Sequence, residues 1–126
     1  MLIIDPGHSY QLYNLDKLKE NYVAFLHFVK RTGPGYPGNL DSQPGTTSQE
    51  VLRCLIDRAK YVNHQQPCWQ TSLSVKLLRF VIWLYEHRAA KRHGRVPPSY
   101  REIESAEFCL DCGHVGCQGG CHAKAR

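Results

Sequence analysis

Four cysteines near the end of the sequence have a spacing that suits a metal ion. Glycines separate them, and two histidines stand close by: Cys109, Cys112, Cys117 and Cys121, with His114 and His122. Thiolates in a Cys-x-x-Cys arrangement bind Zn²⁺ tetrahedrally, and glycines let the backbone wrap around the ion. We predict a closed, structural zinc site on the four cysteines, in which either histidine could replace one thiolate. The alternative is a disordered cysteine-rich tail or accidental disulfides between these cysteines.

A second motif, IDPGH at residues 4–8, is similar to the opening of zinc-dependent cell-wall amidases, where the turn delivers a metal-binding histidine. Metal-dependent hydrolysis needs three protein ligands and an open coordination position. The motif supplies one ligand, Ser9 replaces the usual glycine, and the amidase fold needs a much longer chain. We therefore favour a simpler interpretation, in which Pro6 and Gly7 turn the chain between two strands.

A third group of residues combines positive charge with aromatic rings and an amide. Guanidinium groups suit phosphate, a ring can stack on a base, and an asparagine can bond a ribose or base edge. The group comprises Phe28, Lys30, Arg31, Tyr36, Asn39, Arg53 and Arg58. Its alternative interpretation is an edge strand and a solvated helix face.

Size and composition limit the architecture and the partners. With 126 residues, 42% of them hydrophobic, the chain has room for one compact domain and a short extra module. The formal charge of +5 favours anionic partners. No apolar run is long enough to span a membrane, and Asp5 and Pro6 interrupt the opening residues, so we expect a cytoplasmic protein without membrane association. The isolated Cys54 and Cys68 suggest core filling.

The elements that must position these groups are predicted to be of two kinds, giving an α+β fold. Residues 1–45 form an antiparallel β region, with strands around Tyr10–Leu15 and Tyr22–Lys30, and a Gly/Pro loop. Four glycines and three prolines in residues 31–47 exclude regular structure there. Residues 96–126 form a linker, a short helix from Tyr100 to Phe108, and the cysteine-rich tail.

Residues 46–95 are predicted to form an antiparallel helical hairpin. Thr47 and Glu50 make a capping box, and the first helix should end near His64. The second should run from Ser72 to about Arg92 and stop at Gly94. Two apolar stripes should pack against each other and the sheet: Val51, Leu52, Leu55, Ile56, Ala59 and Val62 on the first helix, and Leu73, Leu77, Phe80, Val81, Leu84 and Tyr85 on the second. Apolar surface left over on the hairpin predicts oligomerisation.

Several blocks in the same order resemble a known family. They read YxLxNLD, FxKRxGPGYPGN, GTxxQEVLRxLIDRxKYxxxQ and LRxxIxLxExRAAxRHG, and together span residues 10–94. They are similar to the first Thoeris anti-defence family of phage proteins, whose helical hairpin is shared with the phage sponge that acts against CBASS immunity. The cysteine-rich tail is not a feature of that family, and the N-terminal, sheet-forming part is short for it.

The resemblance implies a non-enzymatic sponge that sequesters cyclic nucleotide immune signals, either glycocyclic ADP-ribose isomers or cyclic di- and trinucleotides, without cleaving them. It also implies subunits that assemble from dimers to hexamers, and a pocket where the PGN loop of one subunit meets the first helix of another. The implied ligand contacts are Asn39, Arg58, Phe28, Arg31, Tyr36 and Asp57. A zinc-containing nucleic-acid-binding protein is the alternative, and a zinc-dependent hydrolase ranks third.

Overall fold

The structure, a computed structural model, describes residues 1–15, 24–32 and 40–105. The chain divides into two compact units, Met1–Ser48 and Gln49–Arg126, and each is described by itself. The first unit contains β-strands and the second contains helices, so the predicted α+β class is confirmed. Among the described residues, no helix is both long and apolar enough to cross a membrane.

The first unit begins with a three-stranded antiparallel meander. Its strands are β1 (Leu2–Asp5), β2 (Ser9–Leu12) and β3 (Ala24–His27), in the order β1-β2-β3. Pro6 and Gly7 turn the chain between β1 and β2, as predicted, and Gly7 has a φ of 80° that favours glycine. The predicted strand at Tyr10–Leu15 is shorter than expected, because its pairing with β3 ends at Leu12.

A second, two-stranded sheet lies within a segment predicted to lack regular structure. β4 (Lys30–Thr32) pairs antiparallel with β5 (Leu40–Gln43). The prediction of a continuous loop over residues 31–47 was therefore wrong. The glycines and prolines are concentrated on either side of β5, whose four residues include neither type. These residues keep all their N–H donors and are able to pair in a sheet.

Backbone hydrogen bonds join the residues that follow β3 to the residues that follow β5. Phe28 and Thr46 form an isolated parallel bridge, in which the Val29 N–H donates to the Thr46 carbonyl at 3.0 Å. The Thr46 N–H donates to the carbonyl of His27 at 2.8 Å. A Cβ at the neighbouring Gly45 would lie 2.5 Å from the Phe28 carbonyl carbon. The bridge thus requires glycine at position 45.

The second unit contains the predicted hairpin and the short third helix, as α1 (Ser48–Gln65), α2 (Trp69–Arg92) and α3 (Tyr100–Ser105). The start of α1 directly after Thr47 and the end of α2 at Arg92 agree with the prediction. The start of α2 lies three residues before the predicted Ser72, because nothing after Pro67 breaks a helix.

Local hydrogen bonds define the two ends of α2. At its start, the Asn63 side chain accepts a hydrogen bond from the Cys68 N–H at 3.1 Å and donates to the Ser72 hydroxyl at 3.2 Å. At its end, Gly94 has a φ of 65°, and the Arg95 N–H donates to the Ala90 carbonyl at 2.8 Å. This 6→1 bond over a left-handed glycine is a Schellman motif.

The core of the helical unit is small. Ile82 of α2 and Ile103 of α3 are buried at its centre, and Leu52 and Ile56 of α1 pack against them, together with Trp83. Leu52 and Ile56, far from the turn, pack against the cluster that contains Ile82, whereas Asn63 near the turn bonds Ser72 at the start of α2. The two helices therefore run antiparallel, as predicted.

The face of α2 that is buried is the opposite of the predicted one. The buried residues are Val75, Ile82, Glu86, Ala89 and Ala90. Of the predicted stripe, Val81 is half-buried and the other members are exposed, at 45% for Leu73, 55% for Leu77 and 47% for Leu84. At about 100° per residue, the two sets lie on opposite sides of the helix. The helix has two apolar faces, and the one with smaller side chains contributes Ile82 to the cluster that Ile103, Leu52 and Ile56 share.

Candidate functional site

The candidate site is an open depression on the surface of α1. Its lining residues recur at steps of three and four and so share one side of the helix: Glu50, Arg53, Cys54, Asp57, Arg58 and Tyr61. Two of the predicted ligand contacts, Asp57 and Arg58, are among them. The depression brings together two guanidinium groups, two carboxylates and one phenol ring.

Arg53 is fixed at one end of the depression by an ion pair. Its Nη1 donates to Oε2 of Glu50 at 2.8 Å, and its side chain is only 16% exposed. Because the partners are i and i+3 on one helix, the pair also stabilises the first turns of α1. Glu50 already neutralises much of the charge of Arg53, so this arginine contributes less than Arg58 to the attraction of an anion.

Arg58 and Tyr61 occupy the other end. The guanidinium carbon of Arg58 lies 6.0 Å from the centre of the Tyr61 ring, at the outer limit of a cation–π contact. The Tyr61 hydroxyl accepts a hydrogen bond from Nε2 of Gln65 at 3.1 Å. Both Arg58 and Tyr61 are exposed. A cation and a ring face are therefore presented side by side to solvent.

The other predicted ligand contacts belong to the first unit. Phe28 is half-buried, and its ring meets that of Tyr10 edge-on with 6.1 Å between the centres. Arg31 is an exposed residue of β4. Tyr36 and Asn39 lie outside the described residues. The structure therefore describes four of the six predicted contacts, of which Asp57 and Arg58 share the α1 depression.

Ser9 and His27 form a hydrogen-bonded pair that the sequence analysis did not anticipate. The Ser9 hydroxyl lies 3.1 Å from Nδ1 of His27, and the Gln43 side chain donates to the same hydroxyl at 3.2 Å. A serine beside a histidine base is the arrangement of a nucleophile. However, Ser9 is only 4% exposed. In this position the hydroxyl links β2, β3 and β5 and does not face a substrate.

The carboxylate of the DPGH turn is engaged in an ion pair. Oδ2 of Asp5 lies 3.0 Å from Nζ of Lys30 and 3.8 Å from Nδ1 of His8. Nδ1 of His8 also lies 3.1 Å from the carbonyl of Pro6. Within the part of the chain that the structure describes, no three histidine, cysteine or acidic side chains come together as metal ligands.

The two cysteines within the described residues are more exposed than predicted. Cys54 and Cys68 are both exposed, so the prediction that they fill the core was wrong. Cys54 lies on the polar side of α1, and Cys68 is the N-cap of α2. The hydroxyl of Thr71, 2.9 Å from Sγ, lowers the pKa of the Cys68 thiol. The proposed zinc ligands Cys109, Cys112, Cys117 and Cys121 lie outside the described residues.

Comparison with protein-family models, with curated proteins and with solved structures finds no match to this chain.

Sequence reasoning missed Tyr61 and Glu50 as members of the site. Their spacing could have identified them, because Glu50 lies three residues before Arg53, and Tyr61 lies three residues after Arg58, on a predicted helix. Residues at this spacing share one side of a helix. Such pairs on the polar side of α1 predict the group of side chains that lines the depression.

Proposed function

We propose that this chain is a phage or prophage anti-defence sponge, which binds cyclic nucleotide immune signals in the host cytoplasm without cleaving them. The ligands would be glycocyclic ADP-ribose isomers, cyclic di- or trinucleotides, or both, and their removal would block Thoeris or CBASS immunity. The observation that carries the proposal is the exposed pair Arg58 and Tyr61 beside Asp57 on α1.

The chemistry of the depression supports a nucleotide ligand. A guanidinium can bind a pyrophosphate oxygen pair in a bidentate manner, and an adjacent phenol ring can stack on a base. A carboxylate such as Asp57 accepts hydrogen bonds from ribose hydroxyls or from a base amino group. We propose that Asn39, Tyr36, Phe28 and Arg31 complete the pocket within an assembly of subunits, as the resemblance implies.

The charge balance of the depression favours a small ligand over a nucleic acid duplex. Two arginines are accompanied by two carboxylates, so the local formal charge is close to zero. A duplex is bound mainly by an excess of cations along its backbone. Steeply salt-dependent binding to long DNA or RNA, together with no binding of cyclic nucleotides, would favour the alternative of a zinc-containing nucleic-acid-binding protein.

Replacement of Arg58 tests the position of the pocket. Arg58→Ala should weaken the binding of a cyclic nucleotide by about 1.5 to 3 kcal/mol, the usual contribution of a charged hydrogen bond, which is roughly 10- to 150-fold in Kd. Isothermal titration measures the change. Lys60→Ala is the matched control, because Lys60 is an exposed cation of α1 that does not line the depression.

The Lys60→Ala variant should bind the cyclic nucleotide with the same Kd as the unchanged protein. Equal weakening by both substitutions would mean that only the overall charge of α1 attracts the ligand. If neither variant weakens binding while the unchanged protein binds tightly, the ligand is bound elsewhere. Asn39→Ala extends the same test to the residue that precedes β5, where we expect binding to weaken by about 1 kcal/mol or more.

A further inference from the structure

We infer that the α1 depression selects guanine over the other bases of a nucleotide ligand, through the carboxylate of Asp57. The inference rests on the proposed function and narrows its ligand class to cyclic di- and trinucleotides that contain guanine. It concerns the end of the depression formed by Asp57, Arg58 and Tyr61, called here the open end. The ion pair of Glu50 and Arg53 lies at the other end.

The two carboxylates of the depression differ in their partners. Oε2 of Glu50 accepts a hydrogen bond from Nη1 of Arg53 at 2.8 Å. Asp57 and Arg58 are both exposed, and within the part of the chain that the structure describes neither side chain takes part in a hydrogen bond or an ion pair. The open end therefore offers a ligand both a carboxylate and a guanidinium that no neighbour in the described chain engages.

The position of Asp57 places its carboxylate at the edge of a stacked base. Asp57 and Tyr61 are four residues apart on α1, so their Cβ atoms lie about 5 to 6 Å apart on one side of the helix. Tyr61 is 56% exposed, and a base can stack on its ring. Glu50 is eleven residues before Tyr61, roughly 16 Å away at a rise of 1.5 Å per residue. Of the two carboxylates, Asp57 is the one that reaches the edge of such a base.

The chemistry of a carboxylate selects guanine. A carboxylate accepts hydrogen bonds and donates none. Guanine presents two adjacent donors, the N1–H and the N2 amino group, which match the two carboxylate oxygens. Adenine and cytosine place an acceptor nitrogen beside their amino group, and the N–H of uracil lies between two carbonyl oxygens. A carboxylate repels those acceptors, so it forms the bidentate contact with guanine and is unfavourable towards the other three bases.

The neighbouring cation contributes affinity and no base selection. Arg58 can bind a phosphate group, which is the same in every cyclic nucleotide. The Asp57 contact alone then sets the ratio of the Kd values for two ligands that differ only in their bases. A bidentate contact between a side chain and a base discriminates by about 5- to 150-fold.

Isothermal titration of the full chain with cyclic di-GMP and cyclic di-AMP tests the selection. The two ligands carry the same charge and differ only in their bases. The unchanged protein should bind cyclic di-GMP about 5- to 150-fold more tightly than cyclic di-AMP. Binding of both with equal Kd values, or tighter binding of cyclic di-AMP, would overturn the inference and leave the sponge proposal standing.

Asp57→Asn should change the selection without removing a side-chain atom. The amide offers a donor beside an acceptor, a pattern that is complementary to adenine and not to guanine. The preference for cyclic di-GMP should therefore fall by at least about fivefold. Glu50→Gln is the matched control, because it removes the same charge from an exposed residue of the same depression. It should change both Kd values by one factor and preserve their ratio. A ratio that Asp57→Asn leaves unchanged, or that both variants lower equally, would contradict the role of Asp57.

Mononucleotides separate this inference from the proposed function. GMP and AMP present the same two bases without the cyclic backbone, and the amide chemical shifts of α1 report their binding. GMP should shift the amides of Asp57 and Tyr61 at a lower concentration than AMP does. This result without any binding of cyclic nucleotides would refute the sponge and support guanine selection. Equal responses to GMP and AMP would refute guanine selection, whether or not cyclic nucleotides bind.

Discussion

Removal of side-chain atoms from Ile82 should destabilise the helical unit strongly. Ile82 is 1% exposed and forms the centre of the core with Ile103. Ile82→Ala removes three carbon atoms, at roughly 0.8 kcal/mol each, and leaves a cavity that adds a further penalty. The expected decrease in the free energy of unfolding is about 2.5 to 4 kcal/mol. Leu55→Ala removes the same number of carbons from a side chain that is 48% exposed, and should cost about half of the transfer term, near 1 kcal/mol.

Tryptophan fluorescence during urea unfolding measures both variants. The chain has two tryptophans, Trp69 and Trp83, and both belong to α2, so the signal reports on the helical unit. If Ile82→Ala does not fold, Ile82→Val, which removes one carbon, should cost about 0.5 to 1.5 kcal/mol and keeps the comparison measurable. Equal costs for the Ile82 and Leu55 alanine variants would refute the assignment of the buried face of α2.

Three further predictions concern the rest of the chain. Gly45→Ala should disrupt the bridge beside Phe28 and lower the free energy of unfolding by about 2 kcal/mol or more, so amide hydrogen exchange in the first unit should accelerate. Gly7→Ala is the control, because a Cβ there meets no atom within 4 Å, and it should lower the free energy of unfolding by about 1 kcal/mol through its positive φ alone. Thr71→Val removes the hydroxyl that lowers the pKa of Cys68, so the thiolate fraction and the alkylation rate of Cys68 near neutral pH should fall, as peptide mass spectrometry would show. Native mass spectrometry should find one zinc ion per chain, and a metal-free chain of full length would contradict the proposed site on the four tail cysteines.

The helix boundaries could be predicted because local residues determine them. α1 begins directly after Thr47, the predicted cap, and Gly94 closes the end of α2, so residues within one turn of each boundary predict it without knowledge of the tertiary structure. The Pro6–Gly7 turn is local in the same sense. β5 was missed because the average composition of residues 31–47 concealed four residues without glycine or proline.

The buried face of α2 could not be predicted because the sequence offers two candidates. The larger side chains, Leu73, Leu77, Phe80 and Leu84, form the exposed face, and their size favoured the wrong prediction. The face that is buried contains two alanines and Glu86, which a hydrophobic pattern does not select. Which face packs against α1 and α3 depends on the shapes of those partners, and periodicity carries no information about them.

The site could be predicted in part. Asp57 and Arg58 were identified through the resemblance, and the structure places both in one depression. Tyr61 was missed because only its three-residue spacing from Arg58 on α1 indicates that it lines the depression. The exposure of Cys54 and Cys68 was unexpected because unpaired cysteines are usually buried, and here both stand on polar parts of the helical unit.

We propose that this chain binds cyclic nucleotide signals and leaves them intact. Calorimetric titration with glycocyclic ADP-ribose isomers and with cyclic di- and trinucleotides, followed by release of the bound ligand by heating and its analysis by mass spectrometry, tests both parts together. We expect tight binding of at least one ligand and its recovery with unchanged mass. Failure to bind any of them, or recovery of a cleaved product, would contradict it.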